Sequence, residues 1–146
     1  MLTVIDCGAR GGVHRSWENV GIELNYYMFE PEENEHRSLT LRKSDKNIGL
    51  FNTALGDKDG QANLYIYSDP SLSSLKPLKE KPYRYRHVEL EKKVLVPVSK
   101  LSTVCLSEEI KPDFLSIDAQ GTTFEVLSGC DNFLNDIWGI RAEVEF

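Results

Sequence analysis

The stretch Asp6-Cys7-Gly8-Ala9-Arg10-Gly11-Gly12 constrains this chain more than any other. It follows Leu2-Thr3-Val4-Ile5, an apolar run that reads as a short buried strand. An acid at the strand end, then three glycines within five residues, describes a strand that turns sharply and hands over to a helix. Such a turn exposes backbone N–H groups and the positive end of a helix, which suits a nucleotide-like ligand. A dinucleotide site wants G-x-G-x-x-G, with glycine where the backbone approaches the pyrophosphate. Here that middle place is Arg10. The spacing D-x-G-x-x-G, with an acid inside the strand end, better suits a ligand with an amino acid at one end and no phosphates, such as S-adenosylmethionine. Taken alone, the turn is also compatible with a purely structural role.

The rest of the chain alternates around this turn. His14 to Val20 predicts a short helix, and Tyr26-Tyr27-Met28-Phe29 a second buried strand ending in Glu30-Pro31. Glu32 to Lys43 predicts a polar helix, and Ile48 to Leu55 a third strand closed by Gly56-Asp57. Three strands separated by helix-length segments indicate a parallel sheet with crossovers. The middle changes character. Ala62, Leu64 and Ile66 alternate with polar or tyrosine residues, and Val88, Leu90, Val94, Val96 and Val98 keep a period of two. That pattern predicts half-buried strands, antiparallel to each other. Between them Asp69 to His87 is a long segment holding Lys76, Lys79, Lys81, Arg84, Arg86 and His87, the one basic cluster of the sequence. It reads as a solvated loop or as a lid meeting an acceptor. A helix from Leu101 to Glu109, a fourth strand Phe114-Leu115-Ser116-Ile117, a helix from Thr122 to Leu127 stopped by Gly129, and a fifth strand from Ile137 to Phe146 complete the series.

At 146 residues the chain predicts one domain, 1–146. A net charge of −6 argues against a nucleic-acid partner. No apolar run approaches the roughly 20 residues of a membrane span, and no basic-then-apolar leader precedes the first strand. Cys7, Cys105 and Cys130 lie far apart with no C-x-x-C spacing. This predicts a reducing, cytoplasmic location, with neither a disulfide framework nor a metal site.

Three strand ends carry acids: Asp6, Glu30 and Asp118. In an open α/β sheet, ligands bind beyond the carboxyl ends of the strands. Glu30 lies 24 residues after Asp6, about the offset at which an acid grips ribose hydroxyls.

Those motifs, together with Phe29-Glu30-Pro31, Ala54-Leu55-Gly56-Asp57, Ile117-Asp118-Ala119-Gln120-Gly121, Glu125-Val126-Leu127-Ser128-Gly129 and Ala142-Glu143-Val144-Glu145-Phe146, resemble the ordered motifs of FkbM-type methyltransferases. The resemblance spans essentially the whole chain. It implies a Rossmann-like class I fold: a three-layer α/β sandwich whose mostly parallel sheet has the order 3-2-1-4-5, with an antiparallel β insertion between strands 3 and 4. It implies S-adenosylmethionine as cofactor and O-methylation of a hydroxyl on a sugar, glycan or secondary metabolite. The implied cofactor residues are Asp6, Gly8, Ala9, Arg10 and Gly11 around the methionine and ribose, and Glu30 on the ribose hydroxyls. Ala54 and Leu55 would lie near adenine, and Asp118 would face the methyl. The family often has lysine where Ser116 stands and an acid where Thr123 stands.

A substrate oxygen attacking the sulfonium methyl must lose its proton, so a base is required. Asp118 is the first candidate and His87 the second. The family pattern continues with further strands beyond Phe146, so the chain reads as part of a longer protein, with little methyl transfer of its own expected. Ile137 to Phe146 would then be an edge strand through which two copies pair. Rival readings are a nicotinamide-dependent oxidoreductase, which Arg10 disfavours, and a non-catalytic module on a cofactor-binding fold.

Overall fold

A computed structural model of the chain describes residues 1–43, 47–79 and 83–143. Lys81 of the basic cluster and Val144-Glu145-Phe146 of the expected fifth strand lie outside the described residues, as does the Arg84 side chain.

Five strands form a parallel sheet: β1 (Leu2–Cys7), β2 (Leu24–Phe29), β3 (Ile48–Phe51), β7 (Phe114–Ile117) and β8 (Gly139–Ala142), in the order β3-β2-β1-β7-β8. This is the expected 3-2-1-4-5. β1 and β2 run in register from Leu2↔Leu24 to Cys7↔Phe29, and β7 lies on the other side of β1 from Val4↔Phe114 to Cys7↔Ile117. The continuous apolar character of these strands follows from burial on both faces. One face packs Ile5, Cys7, Phe29, Leu115 and Ile117 against α3 (Leu101–Ser107) and α4 (Thr123–Ser128), through Leu101, Val104, Cys105 and Val126. The other packs Val4, Tyr26 and Met28 with Trp17 of α1 (Arg15–Glu18) and with Phe114.

The expected third strand is in fact two. β3 stops at Phe51, and β4 (Ala54–Leu55) joins a second sheet with β5 (Gly60–Tyr67) and β6 (Leu90–Ser99), in the order β4-β6-β5. The break has a local cause. The Asn52 amide donates to the carbonyls of Glu30 (2.9 Å) and Pro31 (3.3 Å), while the Thr53 hydroxyl lies 3.1 Å from Ser99 Oγ. Asn52 ties the chain to the residues that follow β2, and from Thr53 onward the backbone turns toward Ser99 at the end of β6. β5 (Gly60–Tyr67) pairs antiparallel with β6 from Gly60↔Val98 to Tyr67↔Leu90, as the period of two predicts. Val88 precedes β6 rather than belonging to it, and is buried with Tyr67 and Leu72.

The two sheets meet where backbones nearly touch. Gly129 ends α4 as expected, with a right-handed φ of −75°. A Cβ there would sit 2.0 Å from the Gly56 carbonyl oxygen just past β4. Close approach, not conformational freedom, demands the glycine. At the other side β8 is the outer strand; among the described residues only β7 pairs with it, and Trp138 and Ile140 are exposed there.

Candidate functional site

The turn after β1 is held from both flanks. Asp118 N–H donates to Cys7 O at 2.9 Å, and a Cβ on Gly8 would lie 2.0 Å from Asp118 O, at a φ of +84°. Only glycine fits there. The N–H groups of this turn are spent internally. Gly8 and Ala9 both donate to Phe29 O (3.1 and 3.3 Å), Gly12 donates to Ala9 O (3.0 Å), and Gly11 donates to Glu35 Oε1 (3.0 Å) on α2 (Glu33–Arg42). The α1 start is capped by His14, whose Nδ1 accepts from Ser16 N–H. The exposed N–H groups expected from sequence are therefore already satisfied at Gly8, Ala9, Gly11 and Gly12, which leaves a pyrophosphate little to bind. Arg10, the bulky middle residue, points toward the carboxylates of Glu32 (4.0 Å) and Glu35 (3.8 Å).

Glu30 is fixed at the end of β2. Phe29 before it is fully buried and stacks on Phe51 at 4.8 Å. Glu30 N–H donates to Phe51 O (3.0 Å), its carbonyl accepts from Asn52, and its Oε1 accepts from Glu32 N–H (2.9 Å). Glu30 as a whole is 4% exposed. Burial pushes its pKa up to about 7, while the Glu32 N–H and the Arg10 guanidinium oppose the shift.

Beyond these strand ends lies a cavity of about 790 Å³. Of the sequence-predicted cofactor residues, Gly8, Arg10, Glu30, Ala54, Leu55 and Asp118 line it; Asp6, Ala9 and Gly11 do not. The Asp69–His87 segment forms its opposite wall through residues 70–75, Leu78 and Tyr85. That wall is pinned by a bridge between Tyr65 and Ser74, by the Ser74 hydroxyl donating to Gln120 O (2.5 Å), and by Leu78 N–H donating to Tyr67 Oη (2.9 Å). Ser73 Oγ, on the same wall, is buried with no hydrogen-bond partner. His87 is exposed and lies outside the lining. No group of His, Cys, Asp or Glu among the described residues is arranged to hold a metal.

Asp118 stands at the end of β7, and Gln120 Nε2 donates both to its Oδ1 (3.3 Å) and to Glu143 Oε2 (3.0 Å). Asp6, expected at the cofactor, instead anchors a buried network. Tyr26 and Ser116 hydroxyls donate to its carboxylate, His14 N–H donates to Tyr26 Oη (3.3 Å), and Arg141 Nη1 donates to Ser116 Oγ (3.3 Å). Burial is the main cause that raises the Asp6 pKa. The reason for its place is alternation along β1: Val4 and Asp6 share one face, and that face is covered by Tyr26 and α1. Sequence reading passed over Tyr26, His14 and Arg141. The signal available was a hydroxyl at Tyr26 and at Ser116 inside strands otherwise apolar, because a buried polar atom needs a partner.

The acidic lining at Glu30, Asp118 and Glu143, the orphaned Ser73 hydroxyl, and the scarcity of free turn N–H groups fit a cationic ligand with ribose hydroxyls better than one with phosphates. A family model described as the Methyltransferase FkbM domain matches residues 6–146. Among solved structures, the chain is similar to the crystal structure of methyltransferase FkbM from Methylobacillus flagellatus KT, with a TM-score of 0.54 and 15% identity. The match covers 92% of this chain and 30% of that one, so the chain spans under a third of its length. At that identity the likeness shows the fold: a Rossmann-like α/β sandwich. No curated protein matches in sequence. On the family match, the chain belongs to the FkbM methyltransferase domain family.

Proposed function

We propose that the chain binds S-adenosylmethionine in the cavity between Glu30 and Asp118, and that it serves O-methylation of a hydroxyl on a sugar, glycan or secondary metabolite. The observation that supports this most is that these two strand-end carboxylates border one cavity on either side of Gly8. Bound there, the cofactor would supply an electrophilic methyl on a cationic sulfonium. Glu30, with one oxygen held by Glu32 N–H, accepts hydrogen bonds from a vicinal diol. Ala54 and Leu55 offer an apolar wall, and Gly8, Ala9, Arg10 and Gly11 shape the turn beside it. Asp6 supports that turn from beneath through Tyr26 and His14. Asp118 accepts the proton that the acceptor hydroxyl loses, and Gln120 holds its carboxylate in place. The wall formed by residues 70–75, Leu78 and Tyr85 serves as a lid that excludes water. We assign His87 no part in the reaction, because it is exposed and outside the lining.

The three thiols are free and buried, which suits a reducing compartment, and we place the protein in the cytoplasm. We also propose that two copies associate through the outer edge of β8. The test of the cofactor is calorimetry with S-adenosylhomocysteine and, separately, with NAD. Saturable binding of the first alone, weakened ten-fold or more in Glu30→Ala, is the expected result. Binding of NAD, or unchanged affinity in a folded Glu30→Ala, would refute it. A module that binds without turnover is distinguished by an acceptor screen, in which it gives cofactor binding and no methylated product.

A further inference from the structure

The network that begins at Asp6 ends on a mismatch of hydrogen-bonding roles. Ser16 N–H donates to His14 Nδ1 at 3.1 Å, and the tautomer that keeps this bond carries the imidazole proton on Nε2. Nε2 lies 3.1 Å from Arg141 Nη2, a nitrogen that only donates. Two donors therefore converge, and neither satisfies the other. A negatively charged acceptor set between them satisfies both.

We propose that Arg141 and His14 form a subsite for an anionic oxygen group, a carboxylate or a phosphate, on the methyl acceptor. The inference rests on the reading of the cavity as a methyl-transfer site, and it narrows the acceptor to a hydroxylated acid or phosphate ester. Placement supports it. Arg141 lies beside Ser116 in the β7–β8 register. Asp118 is two residues beyond Ser116, just past the end of β7 and about 7 Å further along the chain. An acceptor anchored by its acid at Arg141 thus presents a hydroxyl several bonds away to Asp118, the span of a sugar ring. The guanidinium is aimed by the Nη1 bond to Ser116, which leaves Nη2 on the His14 side. Nearby carboxylates are occupied by internal donors: Asp6 by Tyr26 and Ser116, Asp118 and Glu143 by Gln120. Neither His14 nor Arg141 lines the cofactor cavity, so the subsite and the cofactor do not compete for the same space.

The test uses the whole chain at mildly alkaline pH, with the His14 imidazole nitrogens followed by NMR. Glucuronate, glucose 6-phosphate and methyl glucoside are titrated in turn, with and without S-adenosylhomocysteine. The Nε2-protonated tautomer is expected, with saturable shifts from at least one anion and none from the neutral sugar. The tighter of the two anions identifies the group as carboxylate or phosphate. Arg141→Gln should weaken that anion ten-fold or more while leaving S-adenosylhomocysteine within about two-fold, and Arg141→Lys should fall between. If Arg141→Gln does not fold, Arg141→Lys alone decides: unchanged anion affinity overturns the proposal. An Nδ1-protonated His14, no anion binding, or equal binding by a folded Arg141→Gln also overturns it. Failure of the wild type to bind S-adenosylhomocysteine sinks the cofactor reading instead, because the anion titrations are read without it.

Discussion

At the scale of single residues, Glu30 is where pH acts. Its pKa in the folded chain, about 7, lies above the ordinary 4.5, and burial is the cause. The folded state therefore holds a proton between those values that the unfolded state has released, and stability falls as pH rises through that window. The carboxyl costs nothing below about pH 4.5, and its penalty grows to about 3 kcal/mol above pH 7. Urea unfolding at about pH 5 and about pH 8 should show the wild type losing more stability than Glu30→Gln, which cannot ionise. The same ionisation should strengthen S-adenosylhomocysteine binding as pH rises, because a carboxylate accepts more strongly than an acid. A pH-independent affinity would separate Glu30 from the ribose.

At the scale of elements, the joints between the sheets determine what moves. Gly129→Ala places a methyl 2.0 Å from the Gly56 carbonyl, a backbone atom that cannot turn aside. We expect a loss of about 2–3 kcal/mol in thermal unfolding, since α4 or β4 must shift. The wall formed by residues 70–78 is anchored less firmly, by Leu72, the Tyr65–Ser74 bridge and the Ser74–Gln120 bond. Its amides should exchange faster than those of β7, and S-adenosylhomocysteine should slow them more than it slows β7. Equal exchange in both segments, or no response to the ligand, would remove the lid role.

At the scale of the whole molecule, the outer face of β8 is the exposed feature. Trp138 and Ile140 are 73% and 46% exposed beside a strand that pairs on one side only among the described residues. Strand edges of this kind attract further strands. Sedimentation at rising concentration should show association that Ile140→Lys abolishes. A wild type that stays monomeric would dismiss the contact.

The lateral order of the sheet came with the family resemblance, while the sequence by itself determined the succession of strands and helices along the chain, the antiparallel insertion and the acids that follow β2 and β7. These follow from short-range rules: apolar runs make buried strands, a period of two makes half-buried ones, and a glycine after a strand marks a turn. The family was legible for the same reason, through blocks read along the chain. What only the tertiary structure decided is where each side chain points and what it meets. Asp6 and Glu30 look alike in sequence, yet Asp6 lies inside β1, where it meets Tyr26 and Ser116, and Glu30 lies just past the end of β2, where it borders the cavity. Ile48 to Leu55 reads as one strand, but the chain pairs with β2 only as far as Phe51 and with β6 from Ala54, which makes it two. His14 and Arg141 are 127 positions apart, and nothing local pairs them. Parallel strands bring distant residues side by side, and the register that does so is set by packing across the sheet rather than by any neighbour along the chain.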